Sequence, residues 1–82
     1  MKKYELMPND GHKSFYKKAI VMENDNGDKI LLSYGTPVIE LTSDGQLFRL
    51  WGGWSATTGR HIKAFCGLNK AAFTAMQTER RF

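Results

Sequence analysis

The segment RLWGGWSATTGRHIKAF (residues 49–65) contains the point at which the apolar pattern changes from that of a strand to that of a helix. Before the glycine pair 52–53, a strand over QLFRLW (residues 46–51) would place Leu47, Arg49 and Trp51 on one face and Phe48 and Leu50 on the other. After it, Thr58, Ile62 and Phe65 recur at helical spacing. The segment therefore predicts a strand that leads directly into a helix.

Residues 55–77 carry the signals that begin and end two short helices. Ser55 or Thr57 can cap the first helix, because a hydroxyl oxygen accepts a hydrogen bond from a free backbone N–H. Gly67 is suited to ending that helix, and Asn69 to capping a second one. We expect one or two C-terminal helices in this part of the chain.

Residues 14–51 alternate apolar and polar side chains and contain two turn signals. Asn26-Gly27 is typical of a type I′ hairpin turn, and the segment 43–45 predicts a second hairpin. Gly35-Thr36-Pro37 interrupts the pattern and is either a turn or a bulge in one long strand. The predicted fold is α+β, with a small, mostly antiparallel sheet of about three to five strands followed by the helices.

Length and composition favour one globular domain. The chain has 82 residues, of which 41% are hydrophobic and 24% charged, which excludes wholesale disorder. We expect a single domain over residues 1–82, with 1–13 as a loose arm or edge strand, 14–51 as the sheet and 55–77 as the helical part. No segment approaches the ~20 apolar residues of a membrane helix, so no membrane partner is expected.

Cysteine and histidine usage indicates the chemistry to expect. A single cysteine, Cys66, excludes an intramolecular disulfide and a cysteine-based zinc site, and favours a cytoplasmic location. His12 and His61 lack a metal-ligand spacing, and no phosphate-binding or nucleophile motif is present. We expect no cofactor, no metal and no catalysis, although a small hydrolase or nuclease using His61 remains an alternative.

Charge is distributed unevenly along the chain. The net charge is +4, but residues 1–45 carry −1 and residues 46–82 carry +5. No acidic residue lies between Asp44 and Glu79. A basic half indicates an anionic partner, such as nucleic acid, a nucleotide or an acidic protein surface, or else serves only solubility.

The strand-to-helix segment is also the leading candidate site. Hydroxyls and cations beside a helix start can bind a phosphate or a carboxylate, and indole rings offer a flat face for a base. The same residues can instead serve only as a turn, a cap and core. The candidate ligand-binding residues are Trp51, Trp54, Thr57, Thr58, Arg60 and His61.

A second candidate surface combines aromatic rings with lysines. Interleaving of this kind can bind single-stranded nucleic acid, but it also describes the outer face of a half-exposed strand. The residues concerned are Phe15, Tyr16, Lys18 and Tyr34.

Three elements of the chain resemble those of an uncharacterised family of small proteins from bacteriophages, prophages and gut Firmicutes. The elements are SFYxKA, SYxTxV and (Y/W)SxTTxxHIxxF. They fall on Ser14, Phe15, Tyr16, Lys18, Ala19, Ser33, Tyr34, Thr36, Val38, Trp54, Ser55, Thr57, Thr58, His61, Ile62 and Phe65.

The resemblance implies an origin more than an activity. Small phage-type proteins often act by binding, so we expect a non-catalytic anti-defence inhibitor located in the host cell cytoplasm. Its partner would be a host defence protein or a phosphate-bearing nucleotide signal, with a nucleic-acid-binding accessory protein as the alternative. Because a small chain has little room for a deep pocket, we also expect a homo-oligomer.

Overall fold

The computed structural model of the protein describes residues 2–7, Phe15 and residues 18–79. Five strands precede two helices, which confirms the predicted α+β fold. The elements are β1 (Lys2–Glu5), β2 (Ala19–Glu23), β3 (Lys29–Ser33), β4 (Thr36–Leu41), β5 (Leu47–Arg49), α1 (Ala56–Cys66) and α2 (Lys70–Ala75).

The sheet is an antiparallel meander in which each strand pairs with its neighbours in sequence. The strand order is β1-β2-β3-β4-β5. Strand β1 is therefore an edge strand, one of the two alternatives expected for residues 1–13; Met1 and residues 8–13 lie outside the described part. At the opposite edge, Thr78 forms a parallel bridge with Arg49. No helix in the described ranges is long and apolar enough to cross a bilayer.

The predicted hairpin at Asn26-Gly27 is confirmed, but the predicted turn type is wrong. Gly27 has a φ of 87°, whereas Asn26 does not have the positive φ that a type I′ turn requires. The side-chain oxygen of Asn24 accepts hydrogen bonds from the backbone N–H groups of Asn26 (2.9 Å) and Asp28 (3.0 Å). This side chain stabilises a wider loop between β2 and β3.

The segment around Gly35-Thr36-Pro37 contains both a turn and a bulge. Tyr34 (φ 52°) and Gly35 (φ 81°) form a two-residue turn between β3 and β4. Further along, Ile39 and Pro37 pair with consecutive residues of β3, so Val38 is the extra residue of a β-bulge. Val38 and Ile39 are consequently both buried, where a regular strand would alternate them.

The core lies between one face of the sheet and the two helices. Directly paired residues share a face of a sheet, so the register assigns each strand residue to one side. The side toward the helices, here called the inner face, carries the fully buried Val21, Leu31 and Ile39. Ile62 of α1 and Phe73 of α2 pack against this face with no exposed surface.

The helices begin and end where the capping signals predict. Ser55 accepts a hydrogen bond from the backbone N–H of Thr58 and caps α1, so Thr57 is not the cap. Gly67 ends the helix with a left-handed φ of 82°. Asn69 caps α2 by accepting from the N–H of Ala72 at 2.8 Å.

Arg49 connects the last strand to the second helix. It lies on the inner face, and only 7% of its surface is exposed. Its guanidinium donates hydrogen bonds to the carbonyl oxygens of Trp51 (2.8 Å), Met76 (3.0 Å) and Thr74 (3.3 Å). The cation also lies 4.6 Å from the ring centroid of Phe73. Arg49 therefore holds the C-terminal end of α2 against the sheet.

Candidate functional site

Three polar side chains form a buried hydrogen-bond network between β3 and α1. The hydroxyl oxygen of Ser33 lies 2.8 Å from Nδ1 of His61 and 2.9 Å from the hydroxyl oxygen of Thr58. Thr58 and His61 are three residues apart in α1, so both face the sheet. Each of the three residues is at most 5% exposed. Every buried side-chain nitrogen and oxygen in the described residues has a hydrogen-bond partner.

His61 is held in its neutral form by its surroundings. Burial lowers the pKa of the imidazole below its ordinary value, and the positive charge of Arg60 lowers it further. A neutral ring lets Nδ1 accept from the Ser33 hydroxyl while that hydroxyl accepts from Thr58. In the other neutral tautomer, Nδ1 donates to the Ser33 hydroxyl and that hydroxyl donates to Thr58, so the same atoms remain hydrogen-bonded.

The lowered pKa of His61 makes stability depend on pH. In the unfolded chain the imidazole takes up a proton as the pH falls below about 6.5, whereas the buried ring in the folded state does not until lower pH. The stabilisation that neutral His61 contributes is thus fully present above the pKa that the imidazole has in the unfolded chain, and it is lost as the pH falls below that value. We expect urea denaturation to show a decline in unfolding free energy from pH 7 to pH 5.

A His61→Asn variant is the matched control for this pH dependence. Asparagine can still bond to Ser33 but does not titrate, and His12 is present in both proteins. We expect a shallower decline with pH in the variant, whatever its absolute stability. Equal slopes for the two proteins would contradict the assignment of the pH dependence to His61.

Aromatic rings and cations surround the buried histidine. The ring centroid of Phe15 lies 4.5 Å from that of His61, in an edge-to-face arrangement, and that of Tyr34 lies 5.8 Å away. The Lys18 ammonium lies 5.8 Å from the Tyr34 centroid, and the Arg60 guanidinium lies 5.5 Å from the Phe15 centroid. We call these five residues the ring cluster.

The ring cluster joins the two candidate surfaces that the sequence places apart. Arg60 and His61 belong to the strand-to-helix segment, whereas Phe15, Lys18 and Tyr34 belong to the second surface. Phe15 is 5% exposed and His61 1%, but Tyr34 is 58% exposed and both cations are exposed. The cluster thus has a buried aromatic base and a cationic rim with one exposed ring. Tyr16 of the second surface lies outside the described residues.

Trp54 packs against the helix that follows it. A Cβ atom at Gly59 would lie 2.3 Å from Cζ2 of Trp54, so the indole occupies the space beside this glycine. The Trp54 ring centroid is also 5.7 Å from that of Phe73. The ring is half-buried between the two helices, where its main contacts are with the core.

The glycine pair 52–53 lies between β5 and α1, and neither glycine has a positive φ. A Cβ atom at Gly53 would lie 2.7 Å from Cζ2 of Trp51, so this indole needs a residue without a side chain beside it. Of the six residues of the first candidate site, Thr58 and His61 are buried, Trp51 and Trp54 are half-buried, and Thr57 and Arg60 are exposed.

A shallow groove lies beside Trp54, between the two helices. Its volume is about 250 Å³, and Trp54, Gly59 and Leu68 lie along it. The cations that line the groove are Arg60, Lys63 and Lys70. Part of the positive charge of residues 46–82 thus lies on one basic surface on the helical side of the protein. Arg49 does not contribute to it, and Arg80 and Arg81 lie outside the described residues.

Ser33 is the member of the buried network that sequence reasoning missed. His61 has no obvious partner within its own segment, because its partner is 28 residues earlier in the chain. The available signal was strand alternation, which places Ser33 on the same face as Leu31. Once Leu31 is assigned to the core, a hydroxyl two residues later must also point inward.

Cys66 is a half-buried residue at the end of α1. Its thiol donates a hydrogen bond to the carbonyl oxygen of Ile62 at 3.4 Å, and burial raises the pKa of the thiol. A raised pKa keeps the sulfur protonated and weakly nucleophilic at neutral pH. In the described residues, no group of three or more His, Cys, Asp or Glu side chains is arranged to hold a metal ion.

Comparison with known proteins yields one match. A family model described as a family of unknown function, DUF8033, matches residues 2–81. No curated protein and no solved structure matches the chain. Since the family model covers nearly the whole chain, the protein is a member of the DUF8033 family.

Proposed function

We propose that the protein is a non-catalytic binding protein that contacts an anionic partner through the ring cluster. The observation that carries the proposal is the convergence of two separate basic and aromatic segments on His61. The exposed ring of Tyr34 contacts the imidazole of His61, which is buried and hydrogen-bonded. A ring supported in this way loses less conformational entropy when it binds.

The backbone at Tyr34 supports a role in binding. A bulky residue with positive φ is uncommon, and asparagine or glycine is the usual choice in this turn. The geometry of the turn therefore does not explain why position 34 is a tyrosine. Its exposed ring presents apolar surface beside the Lys18 ammonium, and tyrosine is enriched at protein interfaces.

The shape of the cluster favours a protein partner over a small ligand. Small molecules usually bind in concave sites that bury most of their surface. Tyr34, by contrast, is 58% exposed at the tip of a hairpin. An acidic patch on a protein can contact such a projecting ring and both flanking cations together.

We further propose that the chain has a phage-type origin, which indicates the class of protein that it binds. In this proposal the chain acts in the host cell cytoplasm as an anti-defence inhibitor and covers an acidic surface of a host defence protein. The support for this part is the resemblance of the three sequence elements to small phage and Firmicutes proteins. A phosphate-bearing nucleotide signal is the other partner class that the cationic rim can serve.

Substitutions in the exposed rim test the proposal. Tyr34→Asn removes the ring and retains a residue suited to positive φ, so the fold should persist. Lys18→Gln and Arg60→Gln each remove one exposed charge. We expect each of the three to weaken binding by about 10-fold or more. Binding is measured by calorimetry against acidic host defence proteins, with cyclic and linear nucleotides as a second panel.

Lys2→Gln is the matched control for the charge changes. Lys2 is exposed on β1, at the end of the sheet opposite the ring cluster, and its loss lowers the net charge equally. Binding should be unaffected by this change. If Lys2→Gln weakened binding as much as Arg60→Gln, only net charge would matter and the proposed surface would be wrong.

Nucleic-acid binding is a second candidate because a tyrosine ring lies beside a lysine. The ring can stack on a base while the ammonium contacts a phosphate. Affinity for labelled DNA or RNA would then fall steeply with added salt. Binding to an acidic protein, without any shift of nucleic acid at low salt, would favour the first proposal.

The pair Ser33 and His61 bears on the alternative of a hydrolase that uses His61. Ser33 and His61 are within hydrogen-bond distance, as a nucleophile and its base would be. However, the two side chains are 3% and 1% exposed and lie beneath Phe15 and Tyr34. A substrate could reach them only if these rings moved, so we regard the pair as part of the core.

A further inference from the structure

The groove between α1 and α2, here called the helical groove, has an apolar floor that is open to solvent. Trp54 and Leu68 line it and are half-buried, although both also pack against the core. The surface exposed within the groove is almost entirely apolar. The helices therefore leave apolar surface uncovered at this point, and a partner can cover it.

The volume of the helical groove matches one apolar side chain. At about 250 Å³, the groove exceeds the cavity of about 150 Å³ that holds a benzene ring. It is smaller than the pockets of about 300–1,000 Å³ that enclose drug-sized ligands. A helix that docks in a groove inserts several side chains at helical spacing, which needs more room. The volume thus indicates a short segment of a partner that inserts a single large apolar side chain.

Cations border the apolar floor, and no acidic residue accompanies them. Lys63 of α1 and Lys70 of α2 are both exposed, so each helix contributes one lysine to the groove. Arg60 lines the groove too, but it is shared with the ring cluster. Residues 45–78 contain no Asp or Glu. A segment with carboxylates on both sides of its apolar residue complements this arrangement.

Helix stability does not explain the position of Lys70. Lys63 lies in the last turn of α1, where the helix dipole favours a cation. Lys70, by contrast, is the first residue of α2, where the positive end of the dipole disfavours one. An acidic partner at the groove would offset this unfavourable interaction.

We propose that the helical groove binds an acidic segment of a partner protein, whose single apolar side chain enters the groove while the flanking carboxylates contact Lys63 and Lys70. Residues 79–82 of the chain itself carry two positive side chains against one negative, so they do not complement this surface. The proposal does not depend on the function of the ring cluster, because neither lysine belongs to that cluster.

The test uses the full chain and a short synthetic peptide with one central leucine flanked on both sides by glutamates. Fluorescence anisotropy of the labelled peptide should give a dissociation constant of about 0.1–1 mM. Nuclear magnetic resonance should show shifts at Trp54, Lys63 and Lys70. Replacing the leucine of the peptide with serine should weaken binding by about 10-fold or more, because the apolar contact is lost.

Ala56→Glu is the most informative variant of the groove. Ala56 is exposed, lines the groove and is the first residue of α1, where the helix dipole favours a carboxylate. The variant should therefore fold, as circular dichroism establishes, yet repel the peptide and weaken binding by about 10-fold or more. Lys63→Gln and Lys70→Gln should each weaken binding by about 3-fold.

Two controls separate the groove from other basic surfaces. Lys2→Gln removes an exposed charge on β1 and Lys18→Gln removes one from the ring cluster, and both should leave the affinity unchanged. Shifts at Tyr34 and Lys18 in place of the groove would assign the peptide to the ring cluster and overturn the proposal. Binding that appears only after residues 80–82 are deleted would assign the groove to the chain's own tail. No binding at millimolar peptide, or an affinity that Ala56→Glu does not change, would equally refute the proposal.

Discussion

Replacing Arg49 with methionine should lower the free energy of unfolding by about 3–4 kcal/mol, the largest effect expected of any single change considered for this protein. The guanidinium donates to three carbonyl oxygens, two of them at the end of α2. Methionine fills a similar space but donates nothing, so these carbonyls lose a charged donor and the end of the helix loses a favourable cation. Urea denaturation measures the change, and the midpoint should fall with little change in slope.

Two further variants separate the hydrogen bonds of Arg49 from its charge and size. Arg49→Lys retains the charge but cannot bond to Trp51 and the end of α2 together, so it should recover only a minor part of the loss. Arg60→Met changes an exposed arginine and should have a much smaller effect. Similar losses for Arg49→Met and Arg60→Met would refute the view that Arg49 holds α2 in place.

Replacing Gly59 with alanine should destabilise the protein by about 2 kcal/mol, although alanine is the better helix former. The added methyl would lie 2.3 Å from Cζ2 and 2.7 Å from Cη2 of Trp54. The indole also packs against Phe73, which is fully buried, and this contact limits how far the indole can move. A distance this short places the overpacking cost at the upper end of the usual range of about 1–3 kcal/mol, and the gain of about 1 kcal/mol in helix propensity then leaves about 2 kcal/mol.

A double-mutant cycle with Trp54→Leu identifies the source of this cost. In the Trp54→Leu background the space beside Gly59 is open, so Gly59→Ala should be neutral or stabilising. Thermal and urea denaturation of the four proteins give the coupling energy. A destabilisation by Gly59→Ala that persists without the indole would have another origin, and the proposed contact would then be wrong.

Local patterns of the sequence were sufficient to predict the architecture. Alternation identified the strands, and Ser55, Gly67 and Asn69 marked the helix ends, because each of these signals acts within a few residues. At Gly35-Thr36-Pro37 the sequence predicted a turn or a bulge, whereas the chain has both, and the position of the bulge at Val38 depends on how β4 pairs with β3. The part that Tyr34 plays in the turn was not predicted, because tyrosine is atypical of such a turn; here it contacts His61 and Lys18.

The candidate site was harder to predict because its side chains come from distant parts of the chain. Sequence reasoning selected His61 and Arg60, as well as Phe15 and Tyr34, but assigned the two pairs to different surfaces. Which faces meet depends on how α1 crosses the sheet, and no short pattern encodes that. The orientation of the Trp54 side chain was equally difficult to predict, because it depends on the space beside Gly59, which has no side chain.

The sequential order of the strands also bears on how the chain folds. Each strand pairs with the one just before it, and the hairpins from β2 to β5 close short loops, at residues 24–28, 34–35 and 42–46. Proteins rich in such local contacts fold quickly. The two helices follow all five strands, however, and they supply Ile62 and Phe73 to the core on the inner face. During synthesis the meander can therefore form before these two side chains cover its inner face. The nascent chain is most exposed to aggregation in the interval before Phe73 reaches the core.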